Sequence, residues 1–144
     1  MDTKPNVEVL TREECLELLA TRPVGRVGVM TELHPVIFPV NYVLDGDAIV
    51  FRTGGGSALE HAADQPVAFE VDDIDVENKS GWSVHVWGKA SEIGSGNTLA
   101  FRSRVYELPL HPWASGEQTH WLRITPVAID GRKVTRSNRN DEVV

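Results

Sequence analysis

The chain has 144 residues, 41% of them hydrophobic and 24% charged, with a formal net charge of −7. That length suits one domain with a real core, and the acidic balance argues against a general nucleic-acid binder, whose affinity comes from neutralising phosphates. No apolar run approaches the ~20 residues of a membrane span, and the single cysteine, Cys15, excludes an intramolecular disulfide framework and a cysteine-rich zinc site.

Residues 1–8 read as a flexible, exposed N-terminal arm without the apolar core of a signal peptide, which favours a cytoplasmic location. Thr11-Arg12-Glu13-Glu14 is a capping box: the Thr11 side chain caps the helix and Glu14 reaches back to the cap. Cys15, Leu18 and Leu19 then share one helical face, with Leu16 at its flank, and Pro23 ends the helix. Cys15 reads first as a small core residue, with a reactive thiol as the lesser alternative.

Val24–Thr31 alternates as a strand, its glycines marking curvature or the close approach of another backbone. Glu32–Pro35 is a turn in which His34 reads as a solvated loop histidine. Val36–Leu44 is a β-branched strand, and Asp45-Gly46 signals a type I′ hairpin turn. Pro39 implies a sheet edge or a bulge, because proline cannot donate to the ladder. Asn41 beside it offers a side-chain amide either to a ligand ring or to the local backbone. Asp47–Thr53 is the return strand. Gly54-Gly55-Gly56 leaves the sheet, and Ser57 is placed to cap a short helix through His61. Arg52, Thr53 and the unpaired N–H groups of a helix start are the groups that hold a phosphate; a plain surface loop after a hairpin is the competing reading.

Residues 67–73, VAFEVDD, form a half-buried strand with Val67, Phe69 and Val71 on one face and Ala68, Glu70 and Asp72 on the other. The acidic run Asp72, Asp73, Asp75 and Glu77 lacks the glycine and closing glutamate of a calcium loop and reads as a solvated loop. Gly81–Ile93 is a long strand with Trp82 and Trp87 on opposite faces, so one face packs the core and the other suits a subunit or a flat ligand. Asn97 is the expected cap of a helix to Tyr106, with Leu99, Arg102 and Tyr106 on one side. Trp113 is expected to anchor a proline-bearing loop. His120–Ile129 is a last strand interrupted at Pro126, followed by a turn at Asp130-Gly131-Arg132 and a polar tail over 136–144. Six strands in hairpin order favour a mainly β fold, an antiparallel barrel, as one domain over residues 9–135.

Four stretches together resemble the pyridoxamine 5′-phosphate oxidase-like family of flavin-binding split barrels, in its small actinobacterial-type branch. They are FPVNYVLDGDAIVFRT at 38–53, GGGSALEHA at 54–62, VAFEVDDID with GWSVHVWGKASEI between 67 and 93, and WLRITPVAIDGRKV at 121–134. The resemblance implies a homodimer with a flavin, FMN, in each interface cleft. It places Pro39, Val40 and Asn41 against the isoalloxazine ring, Arg52, Thr53 and Ser57 at the phosphate, and Trp82 and Ser83 beside the cofactor. Trp121 and Arg123 would approach from the partner subunit. Many members carry Lys where this chain has Ala58, and losing such a charge-assisted contact costs ~1.5–3 kcal/mol.

The activity so implied is hydride or electron transfer between the flavin and a small-molecule substrate, with no metal site. His34, His61, His85 and His111 are the candidate proton donors. A basic set for a second phosphorylated substrate is missing, so pyridoxamine phosphate oxidation itself is not expected. The alternatives are a reductase using a deazaflavin cofactor, or a dimer that binds flavin or haem without catalysis.

Overall fold

The computed structural model describes residues 3–56, 61–114, 116–117 and 119–138. Seven strands run in the order β1 (Thr3–Val9), β2 (Val24–Met30), β3 (Pro35–Asp45), β4 (Ala48–Thr53), β5 (Pro66–Asp75), β6 (Ser80–Glu92) and β7 (His120–Asn138). Helix α1 (Arg12–Leu19) follows β1, and α2 (Leu99–Tyr106) follows β6. All pairings between these strands are antiparallel. The spatial order β1-β7-β4-β3-β2-β5-β6, with β6 also pairing β7, closes a six-stranded barrel with β1 added outside it. Closure gives every one of these six strands two neighbours, and the first half of β3 is the long stretch left with a single partner. None of the described helices is long and apolar enough to cross a membrane.

The strand at 3–9 occupies the stretch expected as a free arm. Its residues 4–9 are exposed, as expected, yet they pair in register with the second half of β7, Val7 opposite Val134. The turn expected at Asp130-Gly131-Arg132 is absent, and β7 runs through it. Gly131 is needed there for space: a Cβ on it would stand 2.5 Å from Cys15 Sγ and 3.2 Å from Leu10 Cδ1. A glycine that lets a helix lie on a strand reads in the sequence like a turn glycine.

The capping box forms as expected, with Glu14 N–H donating to Thr11 Oγ1 at 3.2 Å and Thr11 N–H to Glu14 Oε1 at 2.9 Å. Cys15 and Leu19 are fully buried in the main core with Val27, Phe51, Phe69, Val84, Val86, Leu122 and Ile124. Burial pushes the Cys15 thiol up, which keeps it protonated and suits the core role. The Tyr42 hydroxyl, likewise pushed up by burial, donates to the Leu19 carbonyl and ties α1 to β3.

A second, smaller cluster of Val50, Ile93, Val105 and Leu110 sits on the outer face of β4 under α2. That helix is capped by Thr98, not Asn97; Asn97 instead accepts from Gly94 N–H through Oδ1 at 2.9 Å and closes the preceding turn. Its buried face is Phe101 and Val105, while Leu99 lies outward and the half-exposed Tyr106 leans on Trp121.

The β3–β4 hairpin turns at Gly46-Asp47 between the paired Asp45 and Ala48. Only Gly46 has positive φ, +63°, the pattern of a type II′ turn, not I′. β5 extends to Asp75, so Asp72, Asp73 and Asp75 stand on a strand where a loop was expected. Pro126 pairs with Gly88 beside a register shift that leaves Val127 as the extra residue.

Candidate functional site

Strand alternation sorts the rim of the barrel into two faces. On β4, Ile49 and Phe51 point into the main core and Val50 into the outer cluster. Thr53 therefore follows the inner face and Arg52 the outer. The register sets Thr53 opposite His120 and Arg52 opposite Trp121 on β7.

On the outer face the Arg52 guanidinium carbon lies 4.7 Å from the Trp121 ring centre, and Nη1 donates to the Leu110 carbonyl at 3.4 Å. Trp121 in turn packs on Tyr106, ring centres 5.3 Å apart. On the inner face Thr53 Oγ1 donates to the Gly54 carbonyl at 3.2 Å. His120 Nδ1 meets Glu92 Oε1 at 2.5 Å. A Cβ added at Gly55 would lie 3.7 Å from His120 Nε2, so the glycine loop folds over that ring.

Arg123 belongs to a different arrangement. Its Nε donates to Asp45 Oδ2 at 3.3 Å, and Arg104 from α2 grips the same carboxylate at 2.5 and 3.0 Å. The hydrogen bond from Arg104, chiefly, holds the Asp45 carboxyl below the usual carboxylate range, and Asp45 raises Arg104 in return. Both guanidinium groups lie against the Phe101 ring, at 5.3 and 5.6 Å. The network fastens α2 to the β3–β4 turn, and with Arg104 half exposed its effect is modest.

On β3, Pro39 lies opposite Arg26, and Val40 is buried. Pairing with β4 starts only at Tyr42, so residues 35–41 have β2 as their partner and Pro39 sits on an edge-like stretch. The register to β2 is continuous, so the bulge alternative does not arise there. Asn41 uses both ends of its amide on backbone: Nδ2 donates to the Pro23 carbonyl at 3.2 Å, and Oδ1 accepts from Trp113 N–H at 2.8 Å. That bond, not ring packing, holds the Trp113 loop, and the Trp113 side chain is exposed.

Trp82 and Ser83 lie elsewhere. They pair with Lys133 and Arg132 and help line a cavity of about 510 Å³ with Val7, Ile74 and Lys79. Eleven positions along β7 separate Arg132 from Trp121, roughly 36 Å of strand contour at ~3.3 Å per residue. Ser57 falls outside the described residues. Of the candidate histidines, His34 and His61 border a small cavity of about 270 Å³, His85 is on the outer face of β6, and His111 is in the loop after α2.

The outer face of β2, β3, β5 and β6 carries a groove of about 650 Å³ walled by Met30, Ile37, Ala68, Trp87 and Val127. Ile37 is 74% and Val127 83% exposed, an unusual concentration of apolar surface. Beside it runs a charged row: Arg26 Nη1 lies 3.6 Å from both Glu70 and Asp72, with His85 the cross-strand partner of Glu70. Burial, reinforced by Asp72, pushes the Glu70 carboxyl up to about 7, against the pull of Arg26.

A carboxyl raised on folding stabilises the fold fully below its unfolded value, near 4.5. That contribution is lost as pH climbs to about 7. Thermal melts should therefore show Glu70→Gln gaining on the wild type at pH 8 but not at pH 4.5. Parallel curves would mean Glu70 titrates normally.

The Glu92–His120 pair is the feature sequence reading missed, since its members are 28 positions apart. The signal available was the antiparallel pairing of the segment ending at Glu92 with the segment opening at His120.

A closed antiparallel barrel with a glycine loop at its rim and a capped helix on its side is the architecture this geometry defines. A family profile for pyridoxamine 5′-phosphate oxidase matches residues 11–133. The chain belongs to the pyridoxamine 5′-phosphate oxidase-like family, and the fold is that of its split barrels. The uncharacterized protein Rv0080 of Mycobacterium tuberculosis is 32% identical over 136 residues, 90% of this chain and 87% of that one. Among solved structures, the FAD binding protein of Mycobacterium smegmatis is 33% identical with a TM-score of 0.75, covering 90% of this chain and 98% of its own. A Corynebacterium glutamicum protein named for pyridoxamine 5′-phosphate oxidase is 31% identical with a TM-score of 0.75, covering 92% and 96%.

Proposed function

We propose that this protein is a cytoplasmic, homodimeric, flavin-binding oxidoreductase whose cofactor lies in clefts between two protomers. The observation that carries the reading is the division of the expected site. Arg52, Thr53 and Trp121 gather at one end of β7, and Trp82 and Ser83 at the other, so in this reading Trp82 and Ser83, and not Trp121 and Arg123 as the resemblance implied, come from the partner subunit. A flavin touching both sets calls for a second copy, and the exposed apolar groove is a surface such a copy could cover. The Mycobacterium smegmatis relative, by its name, binds FAD. FMN and FAD share the isoalloxazine ring and its 5′-phosphate, and the residues here address that shared half.

The rim offers a phosphate donors on both faces of β4. On the inner face are the glycine-loop backbone and the Thr53 hydroxyl, here turned to the Gly54 carbonyl. On the outer face is the Arg52 guanidinium, which would swing from Trp121 and the Leu110 carbonyl to join them. Bound there, a flavin would supply the redox chemistry, while this chain binds, orients and shields it. The Pro39–Asn41 edge and Trp121 would offer flat, partly apolar surface to its ring.

The test is titration of the purified protein with FMN and with FAD, followed by tryptophan and flavin fluorescence. Saturable micromolar binding is the expected result. Arg52→Ala should weaken FMN at least ten-fold, ~1.4 kcal/mol, in a variant that remains folded. An unaltered affinity would remove Arg52 from the phosphate site, and indifference to both flavins would end the flavin reading.

A further inference from the structure

The Glu92–His120 pair stands at the inner rim of the barrel, and neither residue has a part in the reading above. Glu92 closes β6, His120 opens β7, and both are partly exposed, 43% and 39% by side chain. An ionised carboxylate accepts hydrogen bonds and cannot donate them, so His120 Nδ1 is the donor in their contact. That fixes the ring and leaves Nε2 as its working atom. Nε2 faces the loop at Gly55, and the strand partner of His120 is Thr53.

We propose that His120, held by Glu92, is an anion-binding residue that donates from Nε2 to a phosphate seated against Thr53 and the Gly54–Gly56 backbone. The chemistry is specific about charge. With Nδ1–H committed to Glu92, a neutral ring presents a lone pair at Nε2 and repels a phosphate oxygen. The imidazolium presents an N–H and a positive charge. A phosphate at this rim is therefore held by the protonated ring, through Nε2–H. The charged groups around it are Glu92 on β6, Arg52 on the opposite face of β4, and Glu117 in the preceding loop, whose backbone carbonyl lies 3.2 Å from a Cβ built on Gly54. Glu92 acts through His120 and is a positioning residue.

The identity of the ligand as a flavin rests on the function proposed above; the anion site does not. The experiment is a titration of the full chain with inorganic phosphate, reading the His120 ring signals by NMR against sodium chloride of matched ionic strength. It is paired with fluorescence titrations of FMN and of riboflavin, which lacks the phosphate. A saturable shift of the His120 signals with phosphate is expected. So is a roughly ten-fold loss of FMN affinity at pH 6 in a folded His120→Gln variant, with riboflavin affinity unchanged. Glu92→Gln should also lower FMN affinity, by less than His120→Gln and again with riboflavin affinity unchanged. His120 signals that ignore phosphate would overturn the proposal, as would equal losses for FMN and riboflavin. A phosphate response without binding of any flavin would uphold the anion site and reject the flavin.

Discussion

Gly88→Ala is expected to destabilise the protein by about 3 kcal/mol or more, near the upper end of what overpacking does. Gly88 is buried where β6 meets the irregular stretch of β7, opposite Pro126 and beside the extra residue Val127. A Cβ there would fall 2.2 Å from the Thr125 carbonyl oxygen and 2.9 Å from its carbon. Both are backbone atoms of the strand that closes the barrel. No side-chain rotation relieves them, so the two strands must part. The strand control is Gly28→Ala, whose Cβ would meet Ala68 Cβ at an ordinary 3.7 Å, and the loop control is Gly94→Ala, with nothing within 4 Å. Urea unfolding of the three variants should separate the first from the other two. A Gly88→Ala midpoint equal to that of Gly28→Ala would mean the β6–β7 seam is loose.

What the sequence makes legible follows from the range over which each signal acts. The Thr11–Glu14 box, the Val67/Phe69/Val71 face and the Val84/Val86 face are local patterns, and all three appear in the structure. Gly131 and Cys15 are far apart in the chain, so a glycine that accommodates a packed thiol looked like a turn. The outermost strand shows the same limit: residues 3–9 have little apolar alternation of their own and become a strand only because β7 is long enough to pair them. Thr98 won the cap over Asn97 because the Asn97 amide was already engaged by Gly94.

The candidate site divides along the same line. Arg52 and Thr53 were visible as a motif, but their opposite faces become clear only once neighbouring strands are known. Glu92 and His120 carry no motif and meet through β6–β7 pairing. Asn41 was readable as a polar residue at a strand edge, and the structure spends its amide on Pro23 and Trp113 backbone.

In the proposed dimer, Ile37→Glu is expected to raise the dissociation constant at least 100-fold, about 2.7 kcal/mol. The residue is 74% exposed in the single chain and borders the apolar groove with Met30, Trp87 and Val127. An exposed strand position tolerates glutamate at little expense to the monomer fold. Against a second copy the same carboxylate would be buried among chiefly apolar groups, with Lys89 the one cation on the groove wall, and burying a charge there costs several kcal/mol. The nearest cation in the charged row, Arg26, is already shared by Glu70 and Asp72. Sedimentation velocity across a concentration series would show wild-type dimers and variant monomers with matching circular dichroism. Flavin affinity should fall with the dimer, because Trp82 and Ser83 of one protomer would no longer stand near Arg52 and Thr53 of the other. Monomers that keep full flavin affinity would place the whole cofactor site within one chain, and an intact dimer would move the interface away from this groove.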